Sequence, residues 1–428
     1  MIEDKFIFTS QAKRKIFITI GVGILLLIIG CIIFSMGGHH EGGHAEAAGH
    51  GGHGEDHGPS LYLRIIKDLW LTNVYFTGIS IIGVFFIAFN YVAQAGWGAA
   101  IKRVPEAFGY YLPLGGILML ILFLVGGHDL FHWTHHYLVD PKDTNFDPLI
   151  EGKSAFLNTG FFVFRMILYF VLWILVWWKL RLNSLAEDLD ANLKYHDNSI
   201  FWSAIFLVVF GITSSTSAWD WVMSIDPHFF STMFGWYVFA SWFVSGLAAI
   251  TFITITLKEN GYLPYVNSSH LHDLGKFMFA FSIFWTYIWF AQFLLIYYAN
   301  IPEEAIYFVE RLKNDVYSPI FFMNLFVNFF FPFLTLMTAN AKRQAIILKV
   351  VAVAILIGHW FDFYIMMTPP LLKQYGGLDV NILFIELGIA LMYLGGFIFL
   401  VMTGLSKAPL TAKNHPMLQE SIHHHLYL

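Results

Sequence analysis

Charged residues are scarce in this sequence, and their scarcity excludes a soluble globular protein. Only 12% of the 428 residues are charged, whereas 57% are hydrophobic; soluble domains carry about 25% charged residues. Cysteine is almost absent as well, and the single one, Cys31, leaves no internal disulfide bond and no thiolate metal site. The P-loop, HExxH, GxSxG and CxxC motifs are also missing, so soluble hydrolase or kinase chemistry has no support.

Long apolar runs occupy most of the chain instead. A helix that spans a bilayer needs about 20 mostly apolar residues. Ten runs of this kind lie near 16–36, 70–94, 109–127, 157–180, 200–220, 235–257, 274–299, 317–338, 346–367 and 382–405. Segments of alternating polarity, the pattern of a membrane barrel, do not occur. The first run is too long for a cleaved signal peptide. The sequence therefore predicts an all-α polytopic membrane protein of about ten transmembrane helices, with an uncleaved first span.

Basic residues are unevenly divided between the two sides of these spans. Of the 24 lysines and arginines, sixteen fall on the side of the N terminus, seven on the opposite side, and one, Arg165, within a span. The positive-inside rule then predicts that both termini are cytoplasmic. The first outer loop contains a Gly/His tract, residues 37–58. Imidazoles bind Zn, Cu and Ni, but the tract has no fixed ligand spacing, so we expect transient metal binding or none.

Ionisable residues inside a membrane are costly and mark functional sites. Arg165 needs a carboxylate at its depth, which Asp129 or Asp220 could supply, and a purely structural ion pair is the alternative to a functional one. His359 and Asp362 are three residues apart, on one helix face. We expect them to be the centre of a proton-handling group, with a packing role as the alternative. The outer-half candidates are His128, Asp129, Arg165, Asp220, Asp226, His359, Asp362 and Glu386.

One short pattern occurs twice. Asp220 to Pro227 reads D-W-V-M-S-I-D-P and Asp362 to Pro369 reads D-F-Y-I-M-M-T-P. Each has an acid, then an aromatic residue, then a proline seven residues after the acid, at the outer end of a predicted span. Because the fifth and ninth spans are four apart, the echo indicates two related four-helix units.

Outer-half acids and imidazoles suit chemistry that takes or delivers protons at the outer face, such as quinol oxidation or a proton path. A haem-b anchor would need histidines from facing helices, and only His359 lies well inside a span. A solute transporter with broken helices is the other alternative.

Three stretches resemble a known family. They are A-W-D-W-V-M-S-I-D-P-H-F-F-S-T-M-F-G-W-Y from Ala218, H-D-L-G-K-F-M-F-A-F-S-I-F-W-T-Y-I-W-F-A-Q from His272, and Y-Y-A-N-I-P-E-E from Tyr297. They look like the second quinone-binding-type membrane subunit of bacterial alternative complex III, a quinol:cytochrome c oxidoreductase. That subunit is similar to the NrfD-like polysulfide-reductase family, and the likeness covers nearly all of spans two to ten.

The resemblance implies two four-helix bundles flanked by two extra helices. The chain then divides into 1–36, the His/Gly-rich periplasmic loop 37–69, a first bundle 70–234, a second bundle 235–381, and a last helix with a cytoplasmic tail, 382–428. It also implies a bacterial inner-membrane location and a role in quinol interaction, transmembrane proton conduction or both. The paralogous subunit beside the iron–sulfur protein is the better candidate for quinol oxidation, which favours proton conduction here.

The cofactors and partners expected from the resemblance follow the same division. We expect no covalent cofactor and no metal on this chain, and quinone or menaquinone as its one small-molecule ligand. Haems and iron–sulfur clusters would sit on partner subunits. The expected partners are the iron–sulfur protein, multihaem and monohaem cytochromes c, the paralogous NrfD-like subunit, lipids and a terminal oxidase, with no nucleic acid.

Overall fold

A computed structural model describes residues 5–37, 60–372 and 383–425. Within these ranges the chain is 81% helical and carries no β-strand. Most of the Gly/His tract lies outside the described residues. Ten of the described helices are long and apolar enough to cross a membrane, which confirms the predicted fold class.

The helices begin and end close to the predicted spans. α3 and α4 together form the third span, and α11 and α12, joined by a π-helical turn at Phe326–Phe330, form the eighth. In chain order the helices are α1 (Ser10–Gly37), α2 (Leu61–Val92), α3 (Arg103–Phe108), α4 (Leu112–Leu130), α5 (Pro148–Lys153), α6 (Thr159–Leu189), α7 (Leu193–Trp221), α8 (Phe234–Glu259), α9 (Ser268–Ala299), α10 (Pro302–Lys313), α11 (Tyr317–Leu325), α12 (Phe331–Thr335), α13 (Ala345–Leu372), α14 (Leu383–Ser406) and α15 (Leu418–Ile422).

The spans pack as two rings of four helices. In the first bundle α2 contacts α4, α4 contacts α6, α6 contacts α7, and α7 returns to α2. In the second bundle α8, α9, α11–α12 and α13 close in the same way. α1 and α14 pair with each other at the edge. The two four-helix bundles with two flanking helices are therefore as predicted.

The central helices α2 and α8 hold the bundles together, and each uses a glycine to admit the other's bulky side chain. A Cβ on Gly78 of α2 would lie 1.9 Å from Cδ1 of Trp242, and one on Gly246 of α8 would lie 2.2 Å from Cγ2 of Ile82. Small residues at such contacts let membrane helices approach closely. Both helices are almost completely buried, so the bundles share one core.

Two ends of this helical body are distinguished below. Lys5 forms an antiparallel bridge with Pro409, so the segments before α1 and after α14 lie together; we call this end the terminal face. The opposite end, where α2 begins and α4, α7 and α13 end, is the distal face. The membrane and its cytoplasmic side are not defined by the fold, so the cytoplasmic position of the termini stays a prediction.

The second span begins earlier than the sequence predicted. Ser60 caps α2 by accepting a hydrogen bond from the Leu63 amide, and the helix starts at Leu61 instead of near residue 70. Residues 61–69, assigned to the outer loop, are therefore the first two turns of α2. Hydropathy ended the run at Arg64, Lys67 and Asp68, but all three are buried in the fold.

Candidate functional site

The eight candidate residues all lie toward the distal face, but they occupy four separate places. Arg165 and Asp220 form one group in the first bundle, and His359 and Asp362 form another in the second. Glu386 belongs to a third group beside the start of α2. His128, Asp129 and Asp226 line an open cavity on the distal face.

Asp220, in the last turn of α7, is fully buried and forms a two-pronged ion pair with Arg165 of α6. Arg165 Nε lies 2.8 Å from Asp220 Oδ2, and Nη2 lies 2.7 Å from Oδ1. This is the fork geometry in which a guanidinium binds a carboxylate most strongly. Tyr169, one turn further along α6, donates a third hydrogen bond to Oδ2 at 3.0 Å. Of the two carboxylates offered by the sequence, Asp220 is thus the partner of Arg165.

The rest of the Arg165 guanidinium is also occupied. Its Nη1 donates to the Phe156 carbonyl at 3.0 Å, and its Cζ lies 3.8 Å from the centre of the Phe156 ring and 4.2 Å from that of the Phe161 ring. Both charges are therefore paired and enclosed. Such a pair holds α6 against α7 and leaves neither side chain free to exchange a proton, which favours the structural alternative for Arg165 and Asp220.

Asp362, midway along α13, is fully buried among neutral hydrogen-bond donors. Tyr237 and Ser241 of α8 donate to its two oxygens, Ser241 at 2.6 Å from Oδ2. Trp285 Nε1 of α9 lies 2.9 Å from Oδ2, and Asn324 Nδ2 of α11 lies 2.8 Å from Oδ1. Every other helix of the second bundle thus contributes at least one donor. Among the described residues, no lysine or arginine forms an ion pair with Asp362.

His359 is the titratable neighbour of Asp362, one turn earlier on α13. Its Nδ1 lies 3.6 Å from Asp362 Oδ2, and its ring packs edge-on against Trp285 with 5.3 Å between ring centres. The ring is fully buried, and neither nitrogen has a hydrogen-bond partner in the described part of the chain. Because buried polar atoms are rarely left without a partner, such an imidazole requires an explanation. Together the two side chains form a buried acid–imidazole pair inside the bundle.

A chain of amides leads from this group toward the terminal face. Asn328 donates to Asn324 Oδ1, and its own oxygen is buried without a partner. Asn328 lies in the π-helical turn, a feature that often marks functional sites. The adjacent position on α13 is Gly358, where a Cβ would lie 2.1 Å from Asn328 Oδ1. The polar region around Asp362 therefore extends inward by about one helical turn, or 5.4 Å.

Glu386, in the first turn of α14, accepts two hydrogen bonds from Arg64 through Oε1, at 2.9 and 2.6 Å. Next to them Lys67 Nζ lies 2.9 Å from Asp68 Oδ1. All four side chains are buried, and two cations balance two anions. This group fastens α14 to the start of α2. The sequence pointed to Glu386, but it placed Arg64 and Lys67 in a loop.

The distal cavity has a volume of about 560 Å³ and lies at the ends of α4, α7 and α13. If α4 continued past Leu130, His128, His132 and His135 would lie on neighbouring faces of one helix. Instead α4 ends at Leu130, and two tight turns bring the rings of His128 and His135 to 5.5 Å between centres. Burial, followed by the neighbouring His135 and His228 rings, lowers the pKa of His132. The ionisable residues that line it are His128, Asp129, His132, His135, Asp226 and His228.

Arg311 of α10 is a buried charge near the site that sequence reasoning missed. Pro369 and Pro370 lie inside α13 and have no N–H, so the carbonyls four residues earlier, on Ile365 and Met366, lack their helical donors. Arg311 Nε donates to Ile365 at 3.0 Å and Nη2 to Met366 at 3.1 Å. The two adjacent prolines could have predicted two carbonyls without helical donors, but no sequence pattern predicts that Arg311 is the residue that donates to them.

Comparison with known proteins adds no relative: no protein-family model matches the chain, and no curated protein matches it. The fold and the buried groups define a class, a helical membrane protein with ten candidate spans in two four-helix bundles. Its activity has to be argued from the distal groups themselves.

Proposed function

We propose that this chain is an integral membrane subunit of a respiratory quinol:electron-acceptor oxidoreductase of the alternative complex III type, and that its second bundle conducts protons through Asp362 and His359. The observation that supports this most directly is that, within the described ranges, a buried carboxylate has no paired lysine or arginine and the buried imidazole beside it has no hydrogen-bond partner. The resemblance of the stretches around Asp220 and Trp285 supplies the respiratory context.

The contacts of Asp362 suit a group that changes its protonation state. Tyr237, Ser241, Trp285 and Asn324 bind its two oxygens as neutral donors. Among the described residues, no guanidinium or ammonium group is paired with it. A shift of about 0.5 Å would bring His359 Nδ1 into hydrogen-bond range of Asp362 Oδ2. A proton can then pass between them without either group leaving the protein interior.

The distal cavity gives such protons a way out. Its lining includes Pro370 and Leu371 at the end of α13. Pro370 is eight residues beyond Asp362, which corresponds to about 12 Å along a helix. His128, Asp129 and Asp226 on the same cavity are groups that can pass a proton to water. In this proposal quinol is oxidised at the periplasmic side, and haems and iron–sulfur clusters on partner subunits carry the electrons.

A solute transporter is the second candidate, because α13 is interrupted by two prolines and α11–α12 by a π-helical turn. Discontinuous helices near the middle of a bundle bind substrates in many transporters. The two functions differ in their partners. A subunit of the oxidoreductase should copurify with chains that contain c-type haem and iron–sulfur clusters, whereas a transporter should purify without them.

The experiment that tests the proposal replaces Asp362 by Asn in the tagged, copurified complex. Asn keeps the shape of the side chain but cannot carry a proton. We expect normal subunit content, and at least a tenfold loss of menaquinol turnover or of coupled proton release in proteoliposomes, equivalent to about 1.4 kcal/mol of barrier. The double variant Arg165→Met/Asp220→Asn, which removes the enclosed ion pair, is the matched control and should retain turnover.

Two results would contradict the proposal. Turnover and proton release that both stay within about twofold of wild type, a barrier change under about 0.5 kcal/mol, would remove Asp362 from the site. A preparation in which this chain carries no redox partner would reject the oxidoreductase and favour the transporter. Stoichiometric haem bound to the chain itself through His359 would favour the haem-b anchor.

A further inference from the structure

A second group of ionisable residues lies together at the terminal face, whereas Asp362 lies toward the distal face. Glu187 lies near the end of α6, His196 in the first turn of α7, and His415 in the segment after α14. One ligand atom from each residue lies within 4.8 Å of the other two, and all three side chains are buried. The residues come from three separate parts of the chain, so the contact is built by the fold.

Among the described residues, two atoms of this group have no hydrogen-bond partner. They are Glu187 Oε1 and His196 Nδ1, which lie 3.9 Å apart. Lys102 Nζ lies 3.4 Å from the other carboxylate oxygen, Oε2. Lys102 therefore holds the carboxylate through Oε2, and Oε1 remains beside His196 Nδ1.

A small cavity adjoins the two histidines of this group. Its volume is about 30 Å³, and its lining includes His196, His415 and Lys102, but not Glu187. A further polar atom at the cavity, Asn90 Oδ1, has no hydrogen-bond partner among the described residues. A polar cavity holds one water molecule once it exceeds about 10–15 Å³. The cavity therefore has room for one water molecule beside His196 and His415.

The charges around the group are paired before any ion binds. Lys102, Arg103 and Arg181 balance Glu106, Glu187 and Asp188. A bound divalent cation would therefore add net positive charge beside Lys102, which limits its affinity to a moderate one.

We propose that Glu187, His196 and His415 bind a divalent transition-metal ion such as Zn²⁺, with a water molecule from the adjoining cavity as a further ligand. Two imidazoles, one carboxylate and a water are a ligand set that zinc accepts, and imidazole nitrogen favours Zn²⁺, Cu²⁺ and Ni²⁺ over Mg²⁺ or Ca²⁺. The ion would join the segment after α14 to α6 and α7. This site does not depend on the proposed respiratory function.

One contact is expected to change when the metal binds. His415 Nδ1 accepts a hydrogen bond from the Met417 amide at 3.2 Å, so the neutral ring carries its proton on Nε2. Coordination through Nε2 would move that proton to Nδ1, which could no longer accept from Met417. The turn that contains His415 and Met417 is therefore the part of the site that should rearrange.

The test uses the purified full-length protein in detergent, treated with a chelator and then titrated with Co²⁺, whose visible spectrum reports the ligand geometry. His415→Gln and His196→Gln remove one ligand each. His423→Gln is the control. It removes an exposed imidazole of the same tail, whose Nδ1 lies 2.9 Å from the Gln419 carbonyl oxygen. The histidines of the 37–58 tract are present in every variant, so only differences between variants are interpreted.

Wild type and His423→Gln should bind about one equivalent of Co²⁺ at least tenfold more tightly than the two ligand variants. Removing a residue that only hydrogen-bonds to a metal ligand already lowers metal affinity by about 10–100-fold, so removing a ligand should cost at least as much. Excess Zn²⁺ should bleach that spectrum and raise the Tm of wild type and His423→Gln only. Equal Co²⁺ spectra and equal Zn²⁺-induced Tm shifts in all four proteins would overturn the proposal. If one ligand variant does not fold, the other decides the result.

Discussion

Each bundle has a buried acid on its fourth helix, but the two acids have different hydrogen-bond and ion-pair partners. In the first bundle Asp220, on the fourth helix, is closed by the Arg165 fork and a tyrosine. In the second bundle Asp362, also on the fourth helix, is bound by four neutral donors with an unpartnered His359 beside it. One framework thus holds a saturated ion pair in one half and a protonatable group in the other.

Both acid-bearing helices are anchored to the same central helix. Trp70 of α2 donates to the Trp221 carbonyl on α7 at 2.9 Å, and Trp360 of α13 donates to Thr72 of α2 at 3.3 Å. Trp70 and Thr72 are two positions apart on α2. They point to nearly opposite sides of this helix, because each residue rotates the helix by about 100°. The comparison is therefore between two sites with a common support, so that a difference in behaviour is attributable to their partners.

Each of the two acids also has a buried arginine near it toward the distal face, and the two arginines have different partners. Arg165 binds a side-chain carboxylate, whereas Arg311 binds backbone carbonyls that two prolines leave without donors. The second arginine is thus occupied one turn beyond Asp362 and does not pair with it. Arg311 is therefore not a counter-charge for Asp362 in the way that Arg165 is for Asp220.

The largest effect is expected from Arg165→Met, because it leaves Asp220 buried without a counter-charge. Breaking a buried ion pair from one side costs about 3–5 kcal/mol, so we expect a large drop in thermal stability in detergent. Replacing both partners, as in Arg165→Met/Asp220→Asn, should recover most of the loss. Asp362→Asn, by contrast, turns an amide NH2 toward two of its four donors and should lose less, about 1–3 kcal/mol. Equal loss of thermal stability in Asp362→Asn and Arg165→Met would contradict the claim that only the acid of the first bundle depends on a counter-charge.

A smaller loss of stability is expected from Arg311→Met, which leaves the carbonyls of Ile365 and Met366 unsatisfied. Each unsatisfied buried group costs about 1–3 kcal/mol. Replacing Pro369 and Pro370 by alanine in the same variant restores the two helical N–H donors and should return the melting temperature toward wild type. No recovery in that combined variant would show that Arg311 acts by another route.

His359→Gln should leave stability almost unchanged, because the ring makes no hydrogen bond that is lost. Quinol turnover should fall by about tenfold, or about 1.4 kcal/mol of barrier, since Gln cannot relay a proton from Asp362. His128→Gln, in the open distal cavity, has other ionisable groups beside it and should change turnover by less than about twofold. Similar losses in both variants would argue against a special role for His359.

Much of this architecture could be predicted because its signals are local. Long apolar runs give the ten spans, and the repeated acid-to-proline pattern indicates the two bundles. The depth of Arg165 required a carboxylate, and Asp220 was one of two candidates. The predicted start of α2 was wrong for a physical reason. Hydropathy treats Arg64, Lys67 and Asp68 as solvated, whereas in the fold Arg64 binds Glu386, Lys67 pairs with Asp68, and all four side chains are buried.

The surroundings of each acid depended on tertiary contacts that no local pattern contains. Asp362 and Asp220 look alike in sequence, and only the positions of Arg165, Tyr237 and Trp285 separate them. The same holds for Glu187, His196 and His415, whose spacing along the chain resembles no metal motif. Packing between distant helices therefore decides which buried ionisable group is structural and which is free to react.

The most direct measurement of the central claim is infrared difference spectroscopy of the complex between its oxidised and quinol-reduced states. Asp362 should contribute a carboxylic-acid C=O band that appears or shifts with reduction. The band should vanish in Asp362→Asn and persist in Arg165→Met/Asp220→Asn. A difference spectrum with no carboxylic-acid band, or with one that Asp362→Asn leaves unchanged, would contradict the assignment of Asp362 as the group that exchanges protons.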